Sequence, residues 1–478
     1  ATLNLADGEY RAFAPSALTA GQGGESVIEL EAGAGAVCDS LTLGAGSQVG
    51  AVLFRLVGLG GSGPYWFPGD YVVATYAGSD PIITGWHAEA PLGLSAAFEV
   101  QPAQKRGVLQ VTGVDIGYSA WIAPGGGAWG DAGNWNIAPA SAPATAVRFG
   151  GALGMNAAIT VGSSVTLGTL TFDTPYACTL SGAGITFGAD GAGGALAVAQ
   201  GSQVLQSAVS LPADLSVVAQ PGASVLLGGG ATGSGRVTVT GGGTIAITNG
   251  AAFDVPLTVN GATLGATAST VLDTPLTVGA DGATLNPAYG QTLTLSGMID
   301  GAGTLAKDGS NIAVLSGTNS CTGDVEVKNG TLEIASLTEG GELVIGAGRL
   351  RYTGTNAAVD RGFTIRTSDA RLGATFETDA DVTLNGNIQT DNGVFIKAGS
   401  GTVTFAAPGV NRLGTGQGSD NFSAVMNFGP HGESPTTGLR VFNVIDGNVI
   451  MGLPGQTTLM TNQTLIIGGQ STTAAGAE

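Results

Sequence analysis

The chain has 478 residues, 83 of them glycine, and a hydrophobic fraction of 43%. That apolar content excludes a disordered Gly/Ser linker, and the lack of a strict Gly-X-Y period excludes collagen. Sixteen Lys+Arg against 35 Asp+Glu leave a net charge of −19, which opposes binding to nucleic acid and to anionic lipid headgroups.

Residues 1–117 carry a large share of the chain's few aromatic residues, including Tyr10, Phe54, Tyr71, Tyr76, Trp86 and Phe98. The run from Gly69 to Gly78, and the alternating segments 96–100 and 108–112 with a turn at 104–107, predict antiparallel strands. This part is expected to be a β-rich antiparallel cap or the end of a preceding solenoid module. The first residues show no basic start followed by an apolar run, so no signal peptide is expected in them. Gly58-Leu-Gly-Gly-Ser-Gly63 has the spacing of a dinucleotide loop. Pro64-Tyr-Trp-Phe-Pro68 follows where a helix is needed, which argues against a nucleotide site. Residues 118–143, rich in Gly, Trp and Pro, form a boundary.

From 144 to 478 apolar and polar residues alternate over four to six positions between glycine turns, as in Arg236-Val-Thr-Val-Thr240 and Thr244-Ile-Ala-Ile-Thr248. Valine, isoleucine or leucine points inward and threonine outward. Around Gly168 the phase slips: Val165 and Leu167 share one parity, Leu170 and Phe172 the other. A glycine at a phase slip suits a corner between two strands. Phe253-Asp-Val-Pro-Leu-Thr-Val259 recurs as Leu272-Asp-Thr-Pro-Leu-Thr-Val278, 19 residues on, and Ala262-Thr-Leu264 recurs as Ala283-Thr-Leu285, 21 residues on. Leu211 to Val218 is a looser third copy. A period near 20 is one coil of a parallel β-helix, whose coils bury a shared core only by stacking. At about 4.8 Å per coil, residues 121–470 predict a rod of roughly 70 Å. Residues 414–435 read as an inserted loop.

Chemistry-bearing residues are sparse. There are two histidines, His87 and His431, and three widely spaced cysteines, Cys38, Cys178 and Cys321. No catalytic triad, zinc or haem spacing, or cofactor motif is predicted. Gly188-Ala-Asp-Gly191 and Gly279-Ala-Asp-Gly282 are isolated and read as turns rather than calcium repeats. The richest charged region is 349–381, which holds Arg349, Arg351, Arg361, Arg366 and Arg371 together with Asp360, Asp369, Glu377, Asp379 and Asp381. These arginines are expected on an outer face, in salt bridges between coils or, on the sharper reading, as a patch for an anionic glycan or a partner.

The segment Trp121-Ile-Ala-Pro-Gly-Gly-Gly-Ala-Trp-Gly-Asp-Ala-Gly-Asn-Trp135 resembles the module opening of proteins with autotransporter-associated β-strand repeats. Gly301-Ala-Gly-Thr-Leu-Ala-Lys-Asp-Gly309, continuing to Asn319, resembles the repeat itself, and Lys397-Ala-Gly-Ser-Gly-Thr-Val-Thr-Phe405 a degraded second copy. The resemblance implies a right-handed parallel β-helix of the passenger type, secreted or displayed on a bacterial cell surface, with adhesive or architectural roles and no catalytic residues. The expected function is therefore a structural or adhesive module, not an enzyme. It would need no cofactor, have no transmembrane segment in this chain, and associate end to end or with other surface components. The alternative is a carbohydrate-binding or carbohydrate-active β-helix.

Overall fold

The computed structural model describes residues 2–405 apart from short segments, the longest being 58–67, 78–84 and 367–372. Beyond 405 it describes only the strand segments 412–413, 439–444, 448–451, 464–467 and 470–473. Among the described residues the chain is all-β, with helix only as single 3-10 turns such as Ala132–Asn134. Nearly every ladder is parallel, and the strands stack as a β-solenoid. The chain forms two compact units, Ala1–Ala213 and Asp214–Glu478.

The first unit opens with parallel coils. Thr2–Asn4, Ser26–Gly33, Val52–Val57 and Trp86–Ala88 stack on one face; Ala12–Phe13, Ser40–Leu43 and Gly69–Tyr76 stack on another. Ile28, Leu30, Leu41, Phe54, Tyr71 and Val73 fill the space between. The coils then meet an antiparallel hairpin, Leu94–Gln101 with Arg106–Gly113, whose second strand also pairs antiparallel with Gly69–Tyr76. The antiparallel pairing expected of this segment is confined to the hairpin and its partner Gly69–Tyr76; the other ladders named here are parallel coils. The hairpin turn lies at 102–105 rather than 104–107. Pro102 starts a 3-10 turn, Lys105 takes the left-handed conformation at φ 51°, and Arg106 and Gly107 already pair with Gln101 and Val100. The loop Gly58–Gly63 lies outside the described residues.

Coils resume at Ser119 with three strands per turn. Ala146–Phe149, Thr169–Asp173 and Gly194–Gln200 form one face, Ala157–Val161, Cys178–Gly182 and Ser202–Leu205 a second, and Val165–Leu167, Ile185–Phe187 and Val209–Leu211 a third. The phase slip at Gly168 is a corner. Val165, Leu167, Leu170 and Phe172 are all buried although their parities differ, and a Cβ on Gly168 would sit 2.2 Å from the Pro143 carbonyl oxygen.

In the second unit the sequence repeat is the strand register. Leu257, Thr258 and Val259 lie opposite Leu276, Thr277 and Val278, the 19-residue offset; Ala262, Thr263 and Leu264 lie opposite Ala283, Thr284 and Leu285, the 21-residue offset. The looser copy contributes Leu215–Ala219 to the same face as Leu257–Val259, through Val237–Thr240. Val239, Val259 and Val278 form a buried column, all at most 1% exposed, while Thr238, Thr258 and Thr277 point outward. Each such burial contributes about 1.5–3 kcal/mol, which is how residues of weak local preference hold a strand only three long.

Candidate functional site

The outer face bearing the arginines belongs to one long parallel ladder: Ile312–Leu315, Thr331–Ile334, Arg349–Tyr352 and Gly373–Thr378. Register places Glu333, Arg351 and Glu377 in one outward column, because Glu333 opposes Arg351 and Arg351 opposes Glu377. Arg351 bridges both carboxylates, Nη1 to Glu333 at 3.0 Å and Nε to Glu377 at 3.4 Å, and Arg349 Nη1 holds Glu377 at 2.6 Å. Carboxylate and guanidinium therefore alternate from coil to coil, and the flanking carboxylates strengthen the Arg351 charge.

The other arginines lie elsewhere. Arg361 sits at a corner, 9% exposed, and turns back onto the preceding coil. Its Nε donates to the Gly341 carbonyl at 2.5 Å and its Nη2 to that of Glu342 at 3.2 Å. The outer-face expectation is corrected for this residue, since corner carbonyls draw the guanidinium in. Arg366 is exposed at the end of Phe363–Arg366, which stacks on Leu343–Ile345 and not in the ladder of Arg349–Tyr352. Thr364, expected outward between Phe363 and Ile365, is buried under the Glu342 carboxylate, to which its hydroxyl donates. Arg371 lies outside the described residues, as does the loop 414–435. Replacing Arg351 with alanine is expected to lower stability by less than about 1 kcal/mol, because the guanidinium is 42% exposed. Urea midpoints of the variant and the parent should converge at 1 M salt, where the pairs are screened.

The carboxylates nearby are used as turn caps. Asp379 Oδ1 accepts from the Ser400 amide at 2.9 Å and hydroxyl at 3.0 Å, which lowers its pKa; Asp381 Oδ1 accepts from the Thr402 amide at 2.8 Å. Asn356 Oδ1 in turn accepts from the Asp381 amide at 3.0 Å. The same device recurs at Asp324 to Glu342 and at Asn156 to Ala177, always reaching one coil along. The Gly279–Gly282 turn belongs to it: Asn260 accepts from the Asp281 amide and donates to its carboxylate, both at 2.8 Å. Asp190 of the other Ala-Asp turn lies outside the described residues.

The tryptophan motif builds the first coil after the hairpin. Trp121, Trp129 and Trp135 are all buried. Trp135 meets Trp121 edge-on at 4.9 Å and Trp129 at 4.9 Å, and all three pack on Phe149, which stacks on Phe172 of the next coil. Each of the two inner indoles has an acceptor: Trp121 Nε1 donates to the Gly125 carbonyl at 3.0 Å and Trp135 Nε1 to that of Trp129 at 2.7 Å. Asp131 caps the 3-10 turn between them, and Asn136 ties Ala120 and Val114 together. Ile122 packs on the N-terminal core, so this loop joins that core to the coils that follow.

Sequence reasoning missed two lysines. Lys307 and Lys397 are fully buried. Lys307 Nζ donates to the carbonyls of Asp308 at 2.5 Å, Gly309 at 2.8 Å and Asn329 of the next coil at 3.5 Å. Lys397 Nζ donates to the Gly399 carbonyl and, at 3.4 Å, to that of Thr378 in the preceding coil. Burial pushes the Lys307 pKa down to about 8, partly opposed by the Asp308 carboxylate. The signal was present as parity: Leu305 and Lys307 are two apart on one strand, so an inward Leu305 turns Lys307 inward.

Among the described residues no helix is long and apolar enough to cross a membrane. Neither a protein-family profile nor a solved structure matches the chain. The chain is 30% identical over 142 residues to the adhesin BmaC autotransporter of Brucella suis biovar 1 (strain 1330). That stretch covers 27% of this chain and 4% of the adhesin, so the chain spans a small fraction of its relative's length. A parallel β-solenoid that is similar, over this stretch, to an autotransporter adhesin is the description that fold and comparison share.

Proposed function

We propose that this chain is a non-catalytic, adhesive and architectural module of a larger protein displayed on or released from a bacterial surface. The observation that carries the reading is the likeness to an autotransporter adhesin on a chain built as stacked parallel coils. The side-chain chemistry of the charged region supports it. The carboxylates a glycan-cleaving site would need, Asp379 and Asp381, are spent on backbone amides of the next coil, and Arg349 and Arg351 on Glu333 and Glu377. A stack whose polar side chains stitch its own coils is suited to setting reach and presenting surface. End-to-end association with a second copy is a finer form of the same proposal.

The test uses beads coated with the chain, applied to cell layers and to immobilised glycans, with a reducing-sugar assay in parallel. Retention several-fold above that of heat-denatured protein, with no new reducing ends, is the expected result. Turnover that disappears in Asp379→Asn or Asp381→Asn would overturn the reading in favour of a carbohydrate-active β-helix.

A further inference from the structure

The chain has four lysines, Lys105, Lys307, Lys328 and Lys397. Lysine is among the side chains least often buried, because its ammonium loses its hydration. Two of these four are nevertheless 0% exposed. All four stand in a Lys-x-Gly frame, and the glycine has positive φ after three of them, 73° at Gly309, 69° at Gly330 and 81° at Gly399. What sets Lys307 and Lys397 apart from exposed Lys105 and Lys328 is that their side chains turn inward. Both buried ammonium groups donate to the carbonyl of the glycine two residues on and to a carbonyl of an adjoining coil. A further glycine makes room for one of them: a Cβ on Gly330 would lie 2.9 Å from Lys307 Nζ. This inward arrangement recurs although the two lysines serve different corners. Lys307 ends the strand Leu305–Lys307 and precedes Ile312–Leu315, whereas Lys397 is near the end of Ile388–Ala398 and precedes Thr402–Phe405.

We propose that Lys307 and Lys397 are resident cations of the solenoid, each gathering carbonyls from two consecutive coils and so fixing the register of its corner. Carbonyl oxygens at a tight corner cannot all find amide partners within their own coil. A tethered ammonium supplies three donors there, and no free cation is needed. The lysine thus decides which turn of one coil stacks on which turn of the next, where the strands on either side of Lys307, and the one that follows Lys397, are only three to four residues long and specify register weakly.

Two measurements on the full chain test this. The first is amine acylation of the native protein, read residue by residue. Lys105 and Lys328 are exposed and should label readily, while Lys307 and Lys397 should label at least about a hundredfold more slowly, at the rate of local opening. Equal labelling of all four would overturn the proposal. The second compares Lys307→Met with Lys328→Met by amide hydrogen exchange. Methionine keeps roughly the buried volume and removes the ammonium, its charge and its donors together. Exchange at Lys328 and Asn329, whose amides bond the Lys307 carbonyl at 2.8 and 3.4 Å, should rise at least about tenfold in Lys307→Met and stay unchanged at residues 215–240. Unchanged protection in Lys307→Met would mean the lysine merely fills space. Should that variant fail to fold, the labelling measurement decides alone.

Discussion

Trp135→Ala is expected to destabilise the first unit by about 3–5 kcal/mol, the range for deleting a large buried aromatic side chain. The indole is 1% exposed, contacts two other tryptophans and Phe149, and has its one donor satisfied by the Trp129 carbonyl. Its removal empties the centre of the loop joining the N-terminal core to the following coils, and the bracing turn capped by Asp131 cannot collapse into the void. The measurement is the urea midpoint followed by tryptophan fluorescence, with Met155→Ala as control, since Met155 is 56% exposed and its truncation should leave the midpoint within error. A Trp135→Ala midpoint equal to the parent's would mean that the motif is ornamental to folding.

Gly301→Ala carries the second large effect, about 3–5 kcal/mol from backbone strain and overpacking together. Gly301 has φ 120°, where side chains other than hydrogen are strained, and a Cβ there would lie 2.0 Å from the Val278 carbonyl oxygen. The clash is with backbone of the preceding coil, against which Ile299–Gly301 pairs, so no rotamer change relieves it. Gly303 meets the same obstacle in the Gly279 carbonyl oxygen at 1.7 Å. The Gly-x-Gly opening of the repeat is therefore a requirement for close coil approach. Thermal unfolding of Gly301→Ala should shift down by several degrees, while Gly290→Ala, whose added Cβ meets nothing within 4 Å, should show only the smaller cost of its φ of 74°.

Much of this was legible in the residues. Alternation identified Val259 and Leu264 as inward, and the 19- and 21-residue offsets are the pairings of Leu257 with Leu276 and Ala262 with Ala283. Those features are readable because strand parity and coil length are written into consecutive residues. The corners were harder. Arg361 turns inward because the Gly341 and Glu342 carbonyls lie one coil below it, a relation about 20 residues long that local pattern does not carry. Lys307 is the converse case: a charged side chain ordinarily signals exposure, and only its parity with Leu305 points inward. The three-strand coil also loses regularity: among the described residues the first-face ladder ends at Ile299–Gly301, followed by an isolated bridge between Ile299 and Asn319, which the Gly/Thr/Leu composition of that stretch does not foretell.

Coil stacking at the repeat offset is tested most directly by a pair of cysteines, Thr258→Cys with Thr277→Cys. The two positions face each other across parallel strands with outward side chains, at a neighbour spacing within disulfide reach. The native cysteines add little background, because Cys178 and Cys321 are buried and Cys38 is half-buried. Mild oxidation should join the pair nearly completely and leave Thr258→Cys with Thr284→Cys, on a different face, unjoined. Failure of the first pair to join, or joining of the second, would contradict a parallel solenoid whose coil is the 19-residue repeat.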